Sequence, residues 1–375
     1  MLLIQHVRSL KKLSVSVVGI LSLCLCANAQ QPRLVIIDQD AVGPAGTDMN
    51  SMLVFLQSPQ VQVLGITVLT GDGWRNEEVA HTLRLLELIG RSDIPVFAGA
   101  EAPLVRTEEW THVWEKLYGR IPYQGAWTPS RKLEHPLEIP DLREGKPTTA
   151  VSKEDAAHFL VQMVHKYPHQ VTIYAAGPMT DIAQAISLDP DFAGLAQELV
   201  VMGGGISPKT EDPEFADDPH HEFNLWFDPE AASITLHAHW PKITVTTVDV
   251  SVQTKFTPDM LHVIAQSNSP AARYISRYNS KFVYMWDELA AAAWLDPSLI
   301  TREKYVYMDV SLDKGISYGD TEIWTDDNKP VLDLQKVHAQ IDVDEPKFER
   351  FFEQLMIAPT PNAKAPQIEL RKSDQ

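Results

Sequence analysis

Short runs of aliphatic and β-branched residues alternate along this chain with stretches whose apolar positions recur at helical spacing. "RLVIID" precedes a helical stretch around "MNSMLVFLQS", "VQVLGITVLTG" precedes "NEEVAHTLRLLELIG", and "IPVFAG" follows. Further on come "DAAHFLVQMVHKY", "QVTIYAAG", "MTDIAQAISL", "ELVVMGGG", "DPEAASITLHA" and "KITVTTVDV". Strands alternating with helices predict an α/β fold: an open, mostly parallel sheet with helices on both faces and a Rossmann-like core. In such sheets ligands bind beyond the carboxyl ends of the strands. Here those ends read "DQD", "TGDGW", "AAGPMTD" and "MGGG". The pattern therefore collects polar and glycine-rich pieces at one rim.

Three segments depart from the alternation. At the N-terminus, Arg8, Lys11 and Lys12 precede the apolar "LSVSVVGILSLCLCA", and a small-x-small site (Ala27, Ala29) follows. This order reads as a secretory signal peptide over residues 1–29, shorter than the roughly 20 apolar residues of a membrane span. From about Pro103 to Thr149 lies a stretch with Trp110, Trp114, Tyr118, Tyr123 and Trp127 among prolines and charges. Long insertions of this kind are lids or binding loops, or surface excursions with a small core of their own. The end, residues 359–375, is rich in proline and polar residues and reads as a flexible tail. One α/β domain is expected over residues 30–358.

Charge and cysteine content narrow the chemistry. The formal net charge is −18, and removal of the three leader cations leaves about −21. Such acidity repels nucleic acid and anionic membranes, and it suits hard cations. Both cysteines, Cys24 and Cys26, lie in the leader, so the mature chain has neither disulfides nor thiolate metal ligands. The expected location is periplasmic or secreted, with no membrane association after cleavage; homo-oligomerisation is left open.

The candidate chemistry begins at Asp38 and Asp40, followed across a loop by Asp48 at the next helix start. Crowded carboxylates repel one another unless a cation or hydrogen-bond donor compensates them. A metal site, a catalytic carboxylate, or a simple helix cap all fit that segment. In "AAGPMTDIAQA" a tight turn leads into a helix with Thr180 or Asp181 as cap, and a strand-end carbonyl there can be a neutral metal ligand. Glu222 and Asn224 in "HHEFNLWFDPEAA" fall on alternate positions, facing one side if that segment is extended. Asp287, in the helical "YMWDELAAAAWLDP", is either a cap or a ligand.

Taken in order, "LGITVLTGD", "LRLLELIGRSDIPVFAGA", "GPMTDIAQAISLDP", "VMGGG", "EFNLWFDPEAA" and "MWDELAAAAWLDP" resemble the inosine-uridine nucleoside hydrolase family, from Leu34 to Pro297. The resemblance implies hydrolysis of the N-glycosidic bond of nucleosides or related ribosyl compounds, with Ca²⁺ as cofactor. It assigns Asp40 to metal binding and water activation, Asp48 and Asp287 to further metal ligation, and Ala176 to ligation through its main-chain carbonyl. Met202, Glu222 and Asn224 match residues around the ribose. Three positions depart from the family pattern. Thr47 stands for an aspartate that contacts the sugar, Asp72 for the usual Asn, and Trp286 for a His associated with leaving-group protonation. The Asp40–Asp48 loop is also longer than in the simplest family pattern. The departures point to altered sugar and base recognition, with Trp286 able to stack on a base but not to donate a proton as His does. A non-catalytic nucleoside- or sugar-binding protein on the same fold is the alternative; an aspartyl phosphotransferase, suggested by DxD alone, leaves the later segments unexplained.

Overall fold

The alternating pattern folds into one mixed sheet. The computed structural model describes residues 31–129 and 136–362; the leader and most of the tail lie outside the described residues. The strands are β1 (Arg33–Gln39), β2 (Val61–Val68), β3 (Val96–Ala98), β4 (Val171–Ala176), β5 (Glu198–Met202), β6 (Ile243–Thr246), β7 (Ile300–Val310), β8 (Thr321–Trp324) and β9 (Lys336–Val343). Their spatial order is β3-β2-β1-β4-β5-β6-β9-β7-β8. From β3 to β9 every pairing is parallel, while β7 pairs antiparallel with β9 and β8.

Period-2 alternation splits the core into two layers. Val35, Ile37, Ile66, Val68, Tyr174, Val200 and Met202 pack on one face against helices Thr47–Gln57, Arg75–Ile89, Trp286–Leu295 and Glu345–Ile357. Ile36, Ile173, Ala175, Leu199, Val201 and Val245 pack on the other, against helices Ala156–Lys166, Thr180–Leu188 and Pro229–His237. Both layers exclude water from the strands, which is why these strands read as continuous apolar runs.

The chain winds from β1 towards β2 and β3 on one side and, after the crossover, from β4 towards β6 on the other. The switch point of the sheet therefore lies between the carboxyl ends of β1 and β4, where a crevice opens.

The segment between β3 and β4 holds helix Glu108–Tyr118 and a short turn of helix at Gly125–Trp127. Ile121, Ala126 and Trp127 form a small third core with Phe223, Trp226 and Phe227. The segment is tied to the main body at Ala126, whose N–H donates to the Gly71 carbonyl at 2.8 Å. Gly125 has φ of 55° and lies so close to Gly71 O that a Cβ would sit 2.3 Å from it, so only glycine fits. Further along, Glu144 pairs with His81, and the N–H groups of Thr148 and Thr149 both donate to Glu87 at 2.6 Å.

Candidate active site

β1 ends at Gln39, and the next residue, Asp40, stands at the switch point with 3% exposure. Two glycines make room for it. A Cβ at Gly71 would lie 2.2 Å from Asp40 Oδ2, and one at Gly177 would lie 2.8 Å from Oδ1. The Asp72 N–H donates to Asp40 Oδ2 at 3.0 Å, a bond that leaves the other oxygen directed elsewhere. Asp38, two residues earlier, is not part of the site. It accepts from Thr67 Oγ1 at 2.5 Å and lies against Asp181, which accepts the Ala100 N–H at 2.7 Å.

Asp48 occupies the first turn of helix Thr47–Gln57, and Asp287 the first turn of helix Trp286–Leu295. The two carboxyls are close enough to share a proton, and Gln39 Nε2 donates to Asp287 Oδ2 at 2.9 Å. Burial first, then neighbouring carboxylates, pushes Asp40 and Asp48 well above the usual carboxylate range and Asp287 up to about 7. Asp48 Oδ2 is buried with no protein donor. An all-oxygen set of buried, mutually repelling carboxylates with an orphaned oxygen fits a hard divalent cation, and the Ala176 residue at the end of β4 lines the same cavity.

Asp40, Asp48 and Asp287 do not, however, bring three ligand atoms within 4.8 Å of one another; among the described residues the group that does is Asp218, His221 and Asp320. That group lies outside the cavity lining. There the buried Arg106 guanidinium offsets Asp320, which burial and Asp218 hold at about 6.

Met202, Glu222 and Asn224 line the cavity as expected, but the backbone at Glu222–Asn224 is not an extended segment. Glu222 caps helix Phe223–Phe227: its carboxylate accepts from the N–H groups of Asn224 and Leu225, and from Gly204, each at 3.0 Å. Glu is an uncommon N-cap, which is why the pattern hid this helix. Asn224 Nδ2 donates to the Met202 carbonyl at 3.1 Å. The cap expected at Thr180 or Asp181 is also absent, because Thr180 donates instead to Asp228 at 2.7 Å and Asp181 is turned to Ala100.

Thr47 and Trp286 take up roles of their own. Thr47 Oγ1 donates to Glu288 Oε2 at 2.6 Å and accepts the Asp287 N–H at 3.2 Å. Asn50 Nδ2 donates to the other Glu288 oxygen at 3.1 Å. Trp286 meets Phe215 edge-on at 5.5 Å and Tyr284 at 4.9 Å between ring centroids. Tyr123, from the inserted segment, hydrogen-bonds Asp72. The cavity, about 790 Å³, is thus carboxylate-lined at its floor and aromatic at one wall. Tyr123, one of the aromatics of the inserted segment, belongs to its lining, as do Glu288 and Glu214, which were not singled out in the sequence. The acidic residue next to Asp287 was the only available signal for Glu288.

These features can be set beside known proteins. The family model for inosine-uridine preferring nucleoside hydrolase matches residues 35–350. The chain belongs to that family. It is accordingly an N-glycosyl hydrolase. This member of the nucleoside hydrolases is similar to an uncharacterized Schizosaccharomyces pombe protein, at 31% identity, covering 79% of this chain and 78% of that one. It is also similar to uridine nucleosidase 1 of Arabidopsis thaliana, at 28% identity over 72% of this chain and 76% of the relative. Among solved structures, a plant nucleoside hydrolase shares the fold at a TM-score of 0.67 and 24% identity, covering 88% of this chain and 100% of that chain.

Proposed function

We propose that this hydrolase is exported and cleaves the N-glycosidic bond of nucleosides or related ribosyl compounds in a calcium-dependent reaction. The observation that carries this reading is Asp40 at the sheet switch point, held between Gly71 and Gly177 and facing Asp48 and Asp287 in one cavity. Bound calcium would supply a Lewis acid for water and sugar hydroxyls, with Asp40, Asp48, Asp287 and the Ala176 carbonyl as its protein ligands.

The residues then divide the work. Asp40 accepts the proton of the attacking water, a role suited to a buried carboxylate with one oxygen fixed by the Asp72 amide. Asn224, anchored on the Met202 carbonyl, and Glu222, anchored on three amides, present a rigid polar wall to the sugar. Asp72 adds a carboxylate where the sugar enters, steadied by Tyr123. Trp286 offers an indole to the base. As positive charge develops on the sugar, the surrounding carboxylates stabilise it.

Incubation of calcium-loaded protein with a panel of purine and pyrimidine nucleosides, with free base and ribose as readout, tests this proposal. Release of both products supports it, and absence of product across the panel overturns it. Export is tested by N-terminal sequencing of the mature protein, which is expected to begin near Gln30.

A further inference from the structure

Trp286 removes the imidazole that the family resemblance places beside the leaving base, and no histidine lines the cavity among the described residues. Departure of a nucleobase anion is costly, so a proton donor on the base side has a large effect on rate. Of the carboxyls that line the cavity, Asp40, Asp48 and Asp287 belong to the proposed metal site, and Asp72 is engaged by the Tyr123 hydroxyl. Glu222 is committed to three backbone N–H groups, and Glu288 to Thr47 and Asn50. Asp212 caps the short helix Pro213–Ala216, accepting from the Glu214 N–H at 3.1 Å.

Glu214 remains. It sits on that helix, lines the cavity, and is followed by Phe215, whose ring packs edge-on against Trp286. Its side chain has no hydrogen-bond partner among the described residues, so it is not engaged in holding the fold. Resting on the proposed nucleoside hydrolysis, we infer that Glu214 is the general acid that protonates the departing base. The C1′–N bond breaks with its electron pair passing to the base nitrogen, which takes the Glu214 carboxyl proton. Water adds to C1′ and gives its proton to Asp40, so the products are ribose and neutral base.

The protonation state agrees with that geometry. Burial, then the charges of Asp212, Glu222 and Asp72, raises Glu214 to about 8, so it carries a proton at neutral pH. Arg143, Lys255 and Lys281 are the basic residues that also line the cavity. In the sequence Glu214 lies in "SPKTEDPEFADDPHH", a polar, proline-punctuated stretch between "MGGG" and "EFN".

The test compares leaving groups. Calcium-loaded wild type, Glu214→Gln and Glu214→Asp are assayed on uridine, on inosine and on p-nitrophenyl β-D-ribofuranoside, whose leaving group departs without protonation. Glu214→Gln is expected to lose roughly 10²-fold or more in kcat on the nucleosides, while the p-nitrophenyl riboside rate changes by less than about threefold. The alkaline limb of the wild-type nucleoside profile, falling near pH 8, is expected to disappear in Glu214→Gln, and Glu214→Asp to recover part of the rate. Equal losses on all substrates, or an unchanged nucleoside rate, would overturn the assignment while leaving the hydrolase reading intact. Wild type that cleaves none of the substrates overturns both.

Discussion

Thr47 donates its hydroxyl to Glu288 at 2.6 Å and, through the same oxygen, accepts the Asp287 N–H at 3.2 Å. One side chain thus pins the starts of two helices that each contribute a carboxylate to the site. Where the family resemblance places an aspartate at position 47, this chain has a hydroxyl joined to a buried glutamate on the opposite helix. Glu288 is raised to about 8 by burial, partly offset by Thr47, with Asp287 raising it further.

Thr47→Val keeps the shape and removes both bonds. The buried Glu288 oxygen then lacks its shorter donor, which costs about 1–3 kcal/mol. Melting of Thr47→Val against wild type and Thr47→Ser is the check. Valine should lower Tm and weaken calcium binding, whereas serine should keep both near wild type.

Trp286→Ala should act on substrate binding rather than on chemistry. The indole packs against Phe215 and Tyr284, so its exposed face is held in place for a base. An aromatic contact of this type is worth about 0.5–1.5 kcal/mol, so KM should rise by roughly threefold to tenfold with kcat little changed. Steady-state kinetics on one purine and one pyrimidine nucleoside would show it; a kcat loss alone would contradict the stacking role.

Acid should loosen the inserted segment before it unfolds the sheet. Burial alone would raise Glu87, but Arg84 and the amides and hydroxyls of Thr149 and Thr148 outweigh it and hold it at about 2. A depressed carboxyl stabilises the fold above its ordinary value of 4.5, and that contribution is lost as pH falls towards about 2. Amide hydrogen exchange around Thr148 and Thr149 should therefore accelerate between pH 4.5 and pH 2. In Glu87→Gln exchange should be faster at neutral pH and less sensitive to acid.

Much of the architecture was legible because its physics is local. Runs such as "RLVIID" and "QVTIYAAG" are apolar on both faces, and the strand ends they predict do meet at one rim. What escaped depends on tertiary partners. Asp38 and Asp40 look equivalent in "DQD", yet Thr67 and Asp181 hold the first while Gly71 and Gly177 admit the second to the cavity. Glu222 reads as part of an extended segment until Gly204 and its own helix claim its carboxylate. β7 and β8 form the antiparallel edge beyond β9, and the exposed polar run Thr301 to Lys304 at the start of β7 gave no parallel-strand signal.

The aspartates bear on metal dependence. Removal of divalent cations leaves Asp40, Asp48 and Asp287 buried against one another, and calcium should restore the lost stability. Chelator-treated protein should therefore gain Tm on addition of calcium and bind about one ion per chain by elemental analysis. Zinc in its place, or no ion after calcium loading, would contradict the ligand set.

The central claim is that Asp40 activates water in a calcium-loaded site, and Asp40→Asn tests it most directly. The amide keeps an oxygen at the switch point but cannot accept the proton. With metal content measured in the same preparation, base release from nucleosides should fall by roughly two to four orders of magnitude relative to wild type, while nucleoside binding persists. Wild type that binds nucleosides but releases no base under calcium saturation, or Asp40→Asn that retains full turnover, would contradict the account.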